Sequence, residues 1–176
     1  MSSAFPFRDT LRRPTSWHVF TSSGETAAVG SIVEVGVTHG DFYLTQTPST
    51  ARVAPGPGGG NYANVTRLRF AGAGAGVGLG PLLVDFSASA VDMPSGGRIY
   101  CGPSLQGSDV KIEDLRGWCT MEAYSVSAAV GGSYTVLYFG VGPSGFLPNA
   151  IAVGVVKGKG VGIPGASAMQ FIGRIR

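Results

Sequence analysis

Residues 70–91 read FAGAGAGVGLGPLLVDFSASAV, and glycine occupies every second position over 72–80. Two residues is the side-chain period of an extended strand, whereas helical side chains recur about every 3.6 residues. A fold-back at Pro81 would pair residues 71–79 with residues 82–90 as a hairpin. One face of that hairpin would carry only apolar side chains, and the other would set the four glycines over 72–78 against Ser89, Ser87, Asp85 and Leu83. The tract therefore predicts an all-β protein.

A strand face made of glycine needs a compensating gain, because glycine loses entropy and supplies no side chain to pack. Three explanations stay open: close approach by another sheet, subunit or aromatic ring; the sharp bending of a small closed barrel; and low complexity at a solvent edge. Close approach predicts an interface on the glycine face and its aromatic neighbours. The predicted interface residues are Gly72, Gly74, Gly76, Gly78, Tyr134 and Tyr138.

The composition describes one domain with few charges. The chain has 176 residues, of which 29 are glycine, and only 13% are charged, about half the usual quarter. Low charge and many apolar residues argue against disorder and are typical of a buried β structure, an assembly subunit or a protein that meets lipid. The net charge of +3 is spread along the chain without a basic run, so no nucleic-acid partner is predicted.

The predicted organisation is a flexible N-terminal arm over 1–16 and a single β domain over 17–176. Within the domain, residues 48–61 read PSTARVAPGPGGGN, a loop composition that excludes a central strand. We predict eight to ten strands in a mainly antiparallel sandwich or barrel. The one predicted helix is short and lies near 109–115, with Ser108 as its cap.

Two further hairpins are predicted from turn dipeptides. Gly40-Asp41 would join a strand over 31–38 to a strand over 42–47. Gly131-Gly132 would join 118–130 to 133–141, a register that sets Tyr124 against Phe139.

The two cysteines, Cys101 and Cys119, show no metal-site spacing. They form either a disulfide or two buried thiols. The first 17 residues contain no apolar segment of signal-peptide length, which predicts a cytoplasmic protein at synthesis and favours free thiols. A specialised secretion route stays open.

No cofactor, metal or small-molecule substrate is indicated by any motif. The sequence GAGAGVG over 72–78 fails the dinucleotide fingerprint, because Val77 stands at its last glycine and a strand rather than a helix follows. His39, with Asp41 two residues later, permits a hydrolase with a serine or cysteine nucleophile, although no nucleophile elbow accompanies it. A hydrolase is therefore the second alternative, and we predict that the protein is not an enzyme.

The main hypothesis is a non-catalytic binding or assembly module that self-associates or docks on a protein partner through the glycine face. The first alternative is a membrane-active β protein, either a pore-former or a membrane-docking module. It is motivated by residues 123–156, which carry no charge. Glycines and prolines interrupt that segment, so it suits alternating strands of about 9–11 residues better than a spanning helix.

Overall fold

Side chains alternate along most of this chain, and the computed structural model shows strands over most of the residues that it describes. It describes residues 13–30, 33–46, 54–55, 61–78, 95–105, 109–127, 131–160 and 165–176. In chain order the strands are β1 Pro14–Gly30, β2 Val33–Gln46, β3 Ala54–Pro55, β4 Asn61–Gly78, β5 Ser95–Cys101, β6 Gly117–Ser127, β7 Gly131–Phe139, β8 Ala152–Gly160 and β9 Gly165–Ile175.

Eight of these strands form a closed antiparallel barrel. Their order is β2-β1-β5-β8-β7-β6-β9-β4, and β2 pairs with β4 to close the ring. The two-residue β3 pairs only with the start of β4. The pairing of β2 with β4 joins the two ends of the sheet, as closure of a barrel requires. The predicted all-β antiparallel fold with eight to ten strands is confirmed, and a closed barrel replaces the choice between sandwich and barrel.

The predicted hairpin at Gly40-Asp41 is wrong, because β2 runs straight through it. Strand β2 pairs with β1 on one edge and with β4 on the other across this dipeptide. The buried residues Thr38, Phe42 and Leu44 keep the same alternation on both sides of Gly40. Two ladders of hydrogen bonds and a continuous buried face outweigh the local turn preference. The strand that pairs with β2 as an antiparallel chain neighbour is instead β1.

The structure also differs from the other two predicted hairpins, in the pairing partner of the first and in the register of the second. Residues 70–77 of β4 pair with β2 on one edge and with β9 on the other, so both edges of this stretch are occupied; the predicted partner 82–90 lies outside the described residues. Strands β6 and β7 do pair as predicted, but Tyr124 faces Tyr134 rather than Phe139. Gly131 and Gly132 begin β7, and Gly132 already lies opposite Val126 of β6.

The segment between β5 and β6 closes one end of the barrel. It connects two strands that β8 and β7 separate, and its Val110 and Leu115 belong to the interior core. Ile112–Leu115 forms a 3-10 turn, the short helix predicted near 109–115. Its cap is made by the backbone N–H of Lys111, which donates to Asp114 Oδ2 at 2.9 Å, while the predicted cap Ser108 lies outside the described residues.

Large apolar side chains fill the barrel behind this closed end. Phe70, Phe139 and Phe171 are at most 2% exposed and belong to one cluster. A second cluster lies outside the barrel wall, where the connection between β7 and β8 covers Val136, Tyr138 and their neighbours. The described interior is therefore a packed core.

The glycines of β4 face the interior, and the alanines between them face solvent. Ala71, Ala73 and Ala75 are exposed, and each intervening glycine is less so. A Cβ atom built on Gly74 would overlap the carbonyl oxygen of Gln170 in β9, the neighbouring strand. Of the three explanations for the tract, this geometry matches the bending that a small closed barrel requires.

Replacing Gly76 with valine should destabilise the protein by about 1–3 kcal/mol or more, since its Cβ would overlap the Ala168 carbonyl oxygen and the Met169 side chain. The matched control is Ala75→Val on the exposed side of the same strand, which should change stability by less than about 0.5 kcal/mol. Urea unfolding measures both. A gain in stability from Gly76→Val would contradict the close contact with β9.

Trp17→Phe should cost about 1–3 kcal/mol, because Trp17 Nε1 donates to the carbonyl oxygen of Val110 at 2.7 Å and a buried acceptor would lose its donor. Trp118→Phe is the control, since Trp118 packs against the outer cluster and is only partly buried. Its cost should stay below about 1 kcal/mol. If urea unfolding shows the same loss of stability for Trp17→Phe and Trp118→Phe, the hydrogen bond from Trp17 to Val110 does not stabilise the closed end.

Candidate interaction surface

An apolar strip of small side chains lies exposed on the outside of β2, β4 and β9. Val35 and Val37 are each 61% exposed, and Ile172 is 37% exposed. They share this surface with three exposed alanines of β4. We call this surface the alanine–valine face; its members are Val35, Val37, Ala71, Ala73, Ala75 and Ile172.

Strand register makes the alanine–valine face continuous. Ala73 of β4 lies opposite Val37 on one side and Ile172 on the other, and Ala75 lies opposite Val35. Near Ile172 the face reaches the turn that follows β7, because a Cβ on Gly145 would lie 2.8 Å from Ile172 Cδ1. Phe146 in that turn is 58% exposed and extends the apolar surface.

Arginines border one end of the alanine–valine face. Arg69 Nε lies 3.1 Å from Asp41 Oδ1, and Arg67 pairs with the other oxygen of the same carboxylate. The hydrogen bond from Arg67 is the main cause that lowers the pKa of Asp41. On β9, Arg174 lies over the Trp118 ring at 5.2 Å from its centroid. This end of the face carries three arginines and one aspartate, so its net charge is positive.

A carboxylate surrounded by hydroxyl and amide donors lies beyond β9, on the outside of β6. Tyr124 and Tyr138 each donate a hydroxyl hydrogen bond to Glu122 Oε2 at 3.1 Å. Gln170 Nε2 donates to Glu122 Oε1 at 3.2 Å. We call Glu122, Tyr124, Tyr134, Tyr138 and Gln170 the Glu122 cluster.

The tyrosines of this cluster have raised pKa values. Burial is the largest cause, and it raises the pKa of Tyr124 to about 12 with help from the charge of Glu122 and its hydrogen bond. The same causes raise the pKa of Tyr138 further. Both phenols therefore remain donors to Glu122 throughout the neutral range.

The predicted interface residues lie in two separate places. Gly72, Gly74 and Gly76 lie on the inner side of β4 against β9, and Gly78 pairs with Ser167 of β9. Tyr138 is 3% exposed on the outside of β7, and Tyr134 is partly exposed opposite Tyr124. Tyr138 donates to Glu122 and Tyr134 lies opposite Tyr124, so both tyrosines lie on β7, which β6 and β9 separate from the glycines of β4.

The exposed valines were missed as site residues, although their alternation in SIVEVGVT was visible in the sequence. A valine row is the usual sign of a buried strand face. Only the barrel geometry shows that Val35 and Val37 are on the outside.

The residues of the hydrolase alternative occupy different environments. His39 is exposed on the outside of β2 beside the arginine end, whereas Cys119 is part of the interior core, where burial raises the pKa of its thiol. Both cysteines are buried free thiols, as predicted. The described residues contain no group of three metal-ligating side chains, and none of their helices is long and apolar enough to cross a membrane.

Comparison with known proteins gave no match to a family model, to a curated protein or to a solved structure. The function must therefore be argued from the two outer surfaces described above, the alanine–valine face and the Glu122 cluster.

Glu122→Gln should lower the pKa of Tyr124 and Tyr138, because the carboxylate charge is one of the causes that raise them. Burial should still keep the pKa of Tyr124 and the pKa of Tyr138 above the ordinary tyrosine value of about 10. A raised phenol pKa stabilises the fold below about pH 10, and that contribution is lost as pH rises towards 12. Ultraviolet absorbance of the phenolates measures the effect, with the exposed Glu113→Gln as control. Identical titrations of the two variants would contradict the coupling to Glu122.

Proposed function

We propose that this protein is a non-catalytic assembly module that self-associates through the alanine–valine face. The observation that carries the proposal is the 61% exposure of two adjacent valines on a continuous apolar face. Soluble proteins rarely leave such a face uncovered, and a contiguous exposed apolar patch usually marks an interaction site. The glycine tract contributes indirectly, since it lets β4 bend and leaves its alanines outside.

Because its side chains are small, this face loses little conformational entropy when it is buried. Alanine has no rotamer freedom to lose on burial, and valine has little. The apolar area removed from water therefore contributes almost fully, at about 25 cal/mol per Å². A flat surface of Ala71, Ala73 and Ala75 also allows another sheet to approach closely.

The position of the charges is compatible with a second copy as the occupant. The arginines lie beyond one end of the face, whereas Val37, Ala73 and Ile172 form a row across its middle. A two-fold axis along that row would place the arginines of the two copies at opposite ends. The apolar rows would then contact each other without facing like charges.

Val37→Glu should disrupt self-association, since it would place a carboxylate in the middle of the apolar contact. We expect light scattering after size exclusion, and sedimentation equilibrium from micromolar to millimolar concentration, to show a dimer for the native chain. The variant's dissociation constant should rise by more than about tenfold. Gln46→Glu is the control, because it adds the same charge at an exposed position of β2 away from the face.

Three results would contradict the proposal. The first is a monomer at every concentration of the native chain. The second is an equal loss of association in Val37→Glu and Gln46→Glu, which would attribute the effect to net charge. The third is a monomer that binds or permeabilises vesicles of anionic phospholipid, which would favour the membrane-active alternative.

A further inference from the structure

We propose that the Glu122 cluster is a binding site for an organic cation, an ammonium or guanidinium group. This inference does not depend on self-association, because it rests on different residues. The cluster nevertheless borders the alanine–valine face: Gln170 of β9 lies opposite Glu122 on one side and opposite Ala75 on the other.

Among the described side chains, uncharged donors alone hold the charge of Glu122 in position. Its three donors are two phenols and an amide, and all three are uncharged. In the part of the chain that the structure describes, the ion pairs join Asp41 to two arginines and do not include Glu122. A carboxylate accepts about four hydrogen bonds, so Oε1, with one donor, keeps capacity for another.

One exposed aromatic ring stands beside this carboxylate, and a second tyrosine lies next to that ring. Tyr124, which bonds to Glu122, is 41% exposed, and it lies directly opposite the partly exposed Tyr134 in the β6–β7 pair. Directly opposed side chains have Cβ atoms about 4.5–5.5 Å apart. An organic cation near a tyrosine face gains a cation–π attraction even at an exposed site. The cluster thus combines an anionic group with aromatic surface.

A purely structural role explains only part of the cluster. Tyr138 is 3% exposed, and a buried hydroxyl needs a partner inside the protein. Tyr124 has no such need, since an exposed phenol can bond to water. Its hydrogen bond to Glu122 fixes the ring next to the carboxylate, as a preorganised site requires.

The chemistry of the cluster selects the class of ligand. A single carboxylate does not supply the six or more oxygen ligands that calcium prefers, nor the octahedral set of magnesium. Aromatic surface favours cations with an apolar or planar outer layer. A quaternary ammonium and the guanidinium of a partner protein both meet this description, and separate probes distinguish them.

The test is a titration of the full chain with choline, with N-acetyl-arginine amide and with 3,3-dimethylbutanol, the uncharged analogue of choline. The side-chain amide of Gln170 and the methyl groups of Ile172 report binding by NMR. We expect at least one of the two cations to shift the Gln170 amide and the neutral alcohol to leave it unchanged. A response to choline alone would indicate a quaternary ammonium, and a response to the arginine derivative alone would indicate a partner's side chain.

Variants separate the charge from the ring. Glu122→Gln should weaken cation binding by at least about tenfold, and Tyr124→Leu should weaken it by about two- to fivefold, the value of one cation–π attraction at an exposed site. Tyr124→Phe should bind the cation more tightly than Tyr124→Leu, because the ring remains. Near-ultraviolet circular dichroism checks that each variant is folded. If Glu122→Gln does not fold, Tyr124→Leu still tests the proposal, because it changes an exposed side chain.

Three outcomes would overturn the inference. One is equal binding of choline and its uncharged analogue. Another is an unchanged affinity in Glu122→Gln. The third is a rise in affinity for the cation of more than about tenfold in Lys157→Gln. The backbone of Lys157 lies opposite Tyr134, and such a rise would mean that this lysine occupies the site in the native protein.

Discussion

The close contact between β4 and β9 is the constraint on which the barrel depends. Strand β4 pairs with β2 on one edge and with β9 on the other, and this double pairing closes the ring. The contact is possible because Gly72, Gly74 and Gly76 have no Cβ atom on the inner side, where one would overlap the backbone of β9. The entropy that glycine loses in a strand is offset by the hydrogen bonds of two complete ladders.

Closure of the barrel determines where recognition can occur. Large side chains fill the interior behind the closed end, and Trp17 fastens the covering segment through Val110. The described interior is therefore a stabilising core, and both binding surfaces that we propose lie on the outer wall. That wall carries two neighbouring surfaces of different character, an apolar strip on β2, β4 and β9 and a carboxylate between tyrosines on β6 and β7.

Strand content and antiparallel class could be predicted from alternation, and so could the pairing of β6 with β7, but the register and the other strand neighbours could not. Gly40-Asp41 has the form of a turn, yet β2 passes through it because Thr38, Phe42 and Leu44 keep one buried face. Tyr124 was assigned to the correct hairpin and the wrong partner, since a glycine pair inside a strand resembles a turn. Local preferences amount to about 1 kcal/mol or less per residue, and two ladders with a shared core outweigh them.

By itself the sequence determined that this chain is an all-β protein and that one side of the Ala/Gly tract is bare, because the two-residue period is a local property of the backbone. Only the tertiary structure decided that the bare side faces inward and that Val35, Val37 and the alanines face solvent. Inside and outside are defined by closure of the ring, and closure depends on pairings between β2, β4 and β9 that are distant in sequence. The Glu122 cluster depends on closure too, since its residues come from three strands.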